Sequence, residues 1–501
     1  MLCREAISGF KHPINPKTET KRQRNCLNRY QLLIMKKRIG LIVSIVCLFL
    51  AVNFGQGYQA LHGSAFTGST AVFNNPASSV NSAYAWDLTL FSAQLKMSTN
   101  SAYLKNFSFR HPSNGELTLQ EGMSSKFFHM GMDMSLFNFL YKIDNQKALN
   151  FGLRFRDYAH IKTSAFQFSD TLSSLNSFLK LNNQLAYLQG FATNSGWAEA
   201  DLNYSHVISE TNNSRLTGGI TLQIMKGLAG VFAKANKISY LEAKTATDTS
   251  YTFTNGNGSF GYPSGFDEGS FKDFNKKSAM GLGLSLGIEY LIYNSTFNDG
   301  IPNNNLNYDW KIGVSLMDLG ANNFTPSQNS SQFLDPNANI ADASVEKKFT
   351  GAKDITALRD SIATLFTSTT TLTDKYTISN PTRLIINVDK KLGNNFYVNG
   401  ELSMNFFSTS SFTKLNTREL NLLTVTPRWE TIGWGAYLPV QYNTQGQFWV
   451  GLAVKAGPLV LGFHNLGLLK NDPMLNGGGY LLLSIHPFNK KKVLSKFDCR
   501  N

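Results

Sequence analysis

Residues 128–136 read FHMGMDMSL, and residues 149–156 read LNFGLRFR. In the first stretch Phe128, Met130, Met132, Met134 and Leu136 alternate with His129, Gly131, Asp133 and Ser135. In the second, Leu149, Phe151, Leu153 and Phe155 alternate with Asn150, Gly152, Arg154 and Arg156. Between them lies KIDNQKA, rich in turn formers. Successive side chains of a strand point to opposite faces, so this is a hairpin with one apolar face and one polar, partly cationic face.

The period of two recurs along the chain. Ala198, Ala200, Leu202 and Tyr204 alternate with Glu199, Asp201, Asn203 and Ser205. Leu216 to Ile224, Tyr308 to Leu316, Leu384 to Val388, Phe396 to Met404 and Phe448 to Val454 repeat the pattern, and a last strand falls near Tyr480–His486. The count is about 14 strands, alternatively 16, of about 9–13 residues each. Strands of a β-sandwich or propeller average five to six residues, whereas tilted strands of about ten cross a bilayer. Arg154, Arg156, Glu199, Asp201, Lys311, Asp389 and Glu401 all fall on the polar face. Ionised groups are costly against lipid but acceptable along a wet lumen. The expected fold is therefore all-β: a transmembrane antiparallel β-barrel over 86–488, with these seven residues as lumen-lining candidates.

Composition agrees. The chain has 501 residues, 16% charged and 12% aromatic, with mean hydropathy −0.18, against roughly 25% charged in an ordinary globular domain. The net charge of +14 is concentrated at the ends: residues 1–34 carry +5 and residues 35–57 carry +3, leaving +6. No basic module interleaved with stacking aromatics is present, so nucleic acid is not an expected partner.

MKKRIGLIVSIVCLFLAVNFGQG (35–57) reads as a signal peptide, with a basic start at Lys36–Arg38, an apolar run Ile39–Val52 and small residues Gly55 and Gly57 at the end. Fourteen apolar residues are short for a membrane-spanning helix, which takes about 20. Residues 1–34 are polar and basic, and are expected to be an upstream extension that is not native, with Met35 the start. Residues 489–501 form a basic tail. Of the four cysteines only Cys499 lies beyond the signal, so no internal disulfide is expected.

Two segments interrupt the period. Residues 159–195 contain DTLSSLNSFLKLNN, a short helix. Residues 318–379 are rich in Asn, Ser and Thr, and in DITALRDSIATLF (354–366) Leu358, Ile362 and Leu365 share one helical face. With the N-terminus periplasmic, long connections belong after odd-numbered strands. The strand count places these after the second and fourth, so the count is off or the segments are periplasmic or luminal.

Motifs that resemble chemistry fail on context. GNGSFG (Gly256, Gly258, Gly261) matches a dinucleotide fingerprint but is followed by Pro263 and Gly265 in what reads as a flexible loop, not a helix. GLSLG (Gly283, Ser285, Gly287) matches a nucleophile elbow, yet a strand pattern runs straight through it. The histidines are scattered, with no metal-binding spacing. Glu199 and Asp201 sit on one strand face, close enough to share a cation, or simply to solvate a lumen. No catalytic residue, metal or cofactor is expected.

GSAFTGSTAVFNNPAS (63–78) is small, uncharged and placed just after the signal. It resembles the N-terminal segment of FadL-like outer-membrane barrels, including PorV-like proteins, in which a Gly/Ala-rich run ends in Asn-Pro-Ala. Here Gly63, Gly68, Asn74, Asn75, Pro76 and Ala77 are the plug or hatch candidates, within a luminal segment 58–85. Gly63 and Gly68 allow backbone conformations closed to other residues, and Pro76 stops a helix and holds Asn75 extended. GWAEADLNYSHV, WKIGVSLMDLGANNF, TPRWETIGWGAYLPVQYN and LAVKAGPLVLGFHNLG are similar to a Bacteroidota family of outer-membrane barrels of unknown function. That resemblance implies a location in the outer membrane, contact with its lipid, and no reaction. FadL-like relatives imply passage or binding of a small hydrophobic molecule; PorV-like relatives imply periplasmic or secretion partners. An apolar luminal pocket beside 63–78 would support transport, and a filled lumen with an apolar groove at the rim would support a partner scaffold.

Overall fold

The computed structural model describes residues 58–487 apart from 107–114, 173, 245–248, 266–278, 294–307, 338–339, 341, 351–354, 408–411 and 470–473. The upstream extension, the signal peptide, the basic tail and all four cysteines lie outside the described residues.

Fourteen wall strands form one antiparallel sheet that closes on itself. They are β1 (Trp86–Thr99), β2 (Gly122–Lys142), β3 (Lys147–Phe168), β4 (Leu188–Glu210), β5 (Ser214–Lys244), β6 (Thr249–Gly261 and Met280–Tyr293) and β7 (Tyr308–Phe324 and Ser331–Pro336). There follow β8 (Phe366–Thr371, Tyr376–Ser379 and Arg383–Gly393), β9 (Phe396–Asn405), β10 (Leu422–Glu430), β11 (Trp434–Tyr437 and Val440–Asn443), β12 (Phe448–Val450 and Leu452–Ala456), β13 (Leu459–Phe463) and β14 (Gly477–Ile485). Each pairs with its sequence neighbour, and β14 pairs with β1 from Leu88↔Ile485 to Met97↔Gly477.

The alternation is inside-out relative to a water-soluble protein. Leu149, Phe151 and Leu153 on β3, Ile220, Leu222 and Ile224 on β5, and Leu286, Ile288 and Tyr290 on β6 are exposed, while Asn150, Arg154, Thr221, Gln223 and Glu289 between them are buried. Among the described residues no helix is long and apolar enough to cross a membrane. On β5 the apolar outer band ends at Lys226, and on β3 at Asp157, the first ionised residues in the outward phase.

Strand length departs from expectation. β2 to β5 run 21, 22, 23 and 31 residues, and β13 only five. The alternating signature is strong only where the outer face is apolar, and these strands continue past that band as a two-sided polar wall. For the same reason about half of residues 159–195 is strand: β3 continues to Phe168, β4 begins at Leu188, and only α1 (Leu175–Leu181) is helical among the described residues. GNGSFG is likewise the end of the first half of β6, not a loop. Helices α2 (Asp342–Thr350) and α3 (Ile355–Ala363) occupy the connection after β7.

The parity problem resolves within the fourteen-strand count, because Trp86–Thr99 is the first strand and the hairpin at 128–156 joins the second to the third. The long described connections, 100–121, 169–187, 337–365, 406–421 and 464–476, follow odd-numbered strands, while 143–146, 211–213, 394–395, 431–433 and 457–458 are short. The short turns share one rim, the near rim, with the start of β1 and the end of β14; Trp86 pairs with Tyr141, beside the 143–146 turn. The long connections lie at the opposite, far rim.

Candidate functional site

Residues 58–85 lie against inward-facing side chains of the near half of the wall. They form three 3-10 turns, Tyr58–Leu61, Gly68–Phe73 and Pro76–Ser79. Pro76 does more than stop a helix: it opens the third turn, with extended Asn75 (φ −146°, ψ 116°) as its cap, the Asn75 Oδ1 accepting from the Ala77 amide at 2.9 Å. Gly63 and Gly68 have φ of 75° and 69°, the left-handed region that glycine reaches without strain.

Short turns leave backbone groups without partners, and burial makes each orphan costly. Inward Asn and Ser side chains supply the partners. Asn138 and Asn150 both donate to the Ser69 carbonyl at 2.7 Å, Ser315 Oγ donates to the Asn74 carbonyl at 2.6 Å, and Asn203 Nδ2 donates to the Pro76 carbonyl at 3.0 Å. In return the segment's donors meet wall acceptors. The Ser69 amide reaches Asp87 at 2.7 Å, Ser64 Oγ reaches Glu430 at 2.7 Å, and Asn81 Nδ2 and Ser78 Oγ reach the two Glu289 oxygens at 2.6 and 2.8 Å. Asn74 Nδ2 donates to Glu401 Oε2 at 2.9 Å, and His62 Nδ1 lies 2.8 Å from the same oxygen. The wall is cut to fit: a Cβ added at Gly219 or Gly287 would collide with the Pro76 carbonyl and the Asn75 carboxamide. An apolar seam completes the contact, Leu61, Val72 and Phe73 packing with Tyr437, Val460, Tyr480 and Leu482.

Above this segment lies a layer of buried ion pairs. Arg154 contacts Asp201 at 2.9 Å, Asp133 at 3.2 Å, and Glu199. Its guanidinium stacks 3.8 Å from the Phe73 ring, joining the layer to the segment below. Arg156 is bidentate to Asp318 at 2.7 and 2.9 Å, and the Trp197 indole donates to Glu199 at 2.6 Å. Glu199 and Asp201 are thus shared by arginine. Arg383 bridges Asp318 at 3.8 Å and Glu419 at 3.6 Å, and Glu419 takes Lys96 at 2.8 Å. Nearer the turns, Asp389 meets both terminal nitrogens of Arg428, with Tyr308 as a further donor, and Lys311 lies 3.9 Å from Glu289.

All thirteen residues singled out from the sequence therefore face this interior, six on the segment and seven on the wall. Their partners Asn150, Asn203, Ser315 and Glu289 share the inward phase and were legible by parity, whereas Asn138 turns inward only because a bulge after Ser135 shifts the phase of β2. Arg418 and Glu419 lie in an aperiodic connection and carried no signal. Ser285 Oγ accepts from the Asp318 amide at 2.9 Å.

Of the two arrangements weighed from the sequence, the apolar space described lies at the rim and not beside 63–78. Beside 63–78, among the described residues, lies a polar void of about 30 Å³ bounded by His62, Phe73, Asp133, Arg154, Glu401 and Glu419. A cavity of about 490 Å³ instead sits at the far rim. Cross-strand partners share a face, and the rows Ile161↔Ala192↔Ala233↔Phe260 and Thr163↔Gly190↔Ala235↔Gly258↔Phe333 make its floor. Ile161 is in phase with Leu153, so the floor is the outer face, four residues beyond the end of the apolar band at Asp157 on β3. Small residues in the middle rows leave the hollow. Phe253, Ile362, Leu365 and Phe366 wall it on one side, and a continuation of about 250 Å³ runs to Phe166 and Phe178 of α1.

These features define a class: a closed, fourteen-stranded antiparallel barrel, apolar outside, with a polar, hydrogen-bonded interior occupied by its own N-terminal segment. The chain belongs to DUF5723, a family of unknown function, which matches residues 76–464. No curated protein matches it. Among solved structures it is similar to a FadL homologue of Pseudomonas aeruginosa, at 9% identity and TM-score 0.37, covering 85% of this chain and 94% of that one. It is also similar to a deletion mutant of the monoaromatic hydrocarbon channel TodX and to the toluene transporter TbuX of Ralstonia pickettii. Each is 10% identical, with TM-scores of 0.41 and 0.38, covering 86% of this chain and 97% of the other.

Proposed function

We propose that this protein is an outer-membrane β-barrel that binds a small, largely apolar molecule at its far rim. In this reading the barrel interior is held shut by residues 58–85 acting as a plug. The cavity of about 490 Å³ carries it. Its volume lies in the range of small-molecule sites, and its lining is mainly Phe and Ile with small residues between them. The exposed band of Leu149, Phe151, Leu222 and Ile224 supports placement in a bilayer. The groove, beyond that band, then stands in water on the side opposite the short turns. Passage through the barrel requires the plug to leave its hydrogen bonds, and no catalytic role is assigned to any residue.

The filled near half of the lumen, together with a groove opening outward from the wall, favours one second reading: an apolar side chain of a partner protein occupies the groove and nothing is transported. Titration of purified barrel in detergent with the apolar fluorophore N-phenyl-1-naphthylamine separates the two. Saturable binding, weakened about tenfold or more by Ala235→Trp, which fills the floor, supports the small-molecule site. Failure of the wild-type barrel to bind the probe, with retention of the groove by a partner, supports the second.

A further inference from the structure

We infer that Arg418 and His160 form an interior binding site for a compact oxyanion, a carboxylate or phosphate group. Arg418 lies in the described stretch 412–421 after β9, which lies against inward side chains of the wall: Lys162 Nζ stands 4.0 Å from the Phe412 ring centre, Lys234 donates to the Thr413 carbonyl, and Lys96 pairs with Glu419 at 2.8 Å. Arg418 is 4% exposed, yet none of Nε, Nη1 and Nη2 has a hydrogen-bond partner. His160, 6% exposed, has no partner at either ring nitrogen, and His129, 2% exposed, has none at Nε2; the two rings are 6.3 Å apart.

Other arginines buried in this protein are matched to acceptors. Arg154 has Asp133, Glu199 and Asp201; Arg156 has Asp318; Arg428 has Asp389 and Glu430; Arg215 has Glu210. Among the described residues Arg418 is the exception. The run from Phe412, under Lys162, to Glu419, whose Oε2 would lie 3.8 Å from a Cβ on Gly131, brings Arg418 to the part of the inner face that holds His129 and its cross-strand partner His160. Glu419, the carboxylate that acts on His129, is already taken by Lys96 and Arg383. Burial pulls the Arg418 guanidinium down to about 10, with no carboxylate to offset it. A guanidinium fork without an acceptor is costly, and a planar or tetrahedral oxyanion fits that fork with two parallel hydrogen bonds. An imidazole N–H from His160 supplies a third donor. This site is on the inner face of β3, whereas the apolar groove starts from Ile161 on its outer face, so it does not depend on the small-molecule reading.

The test is isothermal titration of the full-length barrel in detergent, in buffer free of both anions, with inorganic phosphate and, separately, with acetate. Saturable binding of one or both is expected, weakened about tenfold or more in Arg418→Gln and less in Arg418→Lys, which keeps the charge and loses the fork. The anion that binds should raise the unfolding temperature of the wild type and leave that of Arg418→Gln unmoved. Binding of phosphate alone makes the site a phosphate site, and binding of acetate alone a carboxylate site. Should Arg418→Gln fail to fold, His160→Gln, which keeps the guanidinium, is expected to weaken binding in its place. Absence of saturable binding of either anion to the wild type, or equal binding by the folded variants, overturns the inference.

Discussion

Asn75 is joined to Ile288 across the barrel interior: its Nδ2 donates to the Ile288 carbonyl at 2.9 Å, while its Oδ1 accepts from the amide of Ala77. One carboxamide thus caps a turn of the N-terminal segment and ties that turn to the wall. Asn75→Leu removes both bonds and leaves the Ala77 amide buried without an acceptor, a loss of about 1–3 kcal/mol. Limited proteolysis of the assembled barrel should then cleave within 58–85 faster than in the wild type.

Gly287 and Gly219 face the same turn with no room for a side chain. Gly287→Val is expected to expel residues 75–77 while leaving the strand intact, because valine suits a strand. Planar-bilayer recordings should show ion conductance in this variant and little in the wild type.

Arg428 and Asp389 are both fully buried and paired through two nitrogens. Arg428→Met leaves Asp389 with Tyr308 and Asn399 but without its countercharge. A loss of roughly 3–5 kcal/mol follows. The measurement is the denaturant midpoint of the folded band in heat-modifiability gels. An exposed pair such as Arg359–Asp360 should show about 1 kcal/mol or less on the same assay.

Much of this architecture was legible in the sequence where both faces of a strand carried contrast. Leu149 to Arg156 gave strand, face and lumen in eight residues. The seven inward charges were found because the partners of a period-two pattern are fixed by parity alone. Past Asp157 the outer face turns polar and small, at Ala159, Thr163, Ala192 and Ala235, and the contrast that marked the strand disappears. The same small residues floor the apolar groove, so the loss of signal and the site have one cause. Phe333, Ile362 and Phe366 reach the groove from a segment that read as loop and helix, and no local pattern ties them to Gly190 or Ala235. Arg418 had no periodic neighbours, and its isolation from acceptors exists only in three dimensions.

The most direct test of the central claim is mass spectrometry of the organic extract from the wild-type barrel and Ala235→Trp, purified in parallel from native membranes. The account predicts one apolar molecule in near-equal molar amount with the wild type and its loss from the variant, the variant remaining a folded barrel. No such molecule in the wild type, or equal amounts in both, would contradict it.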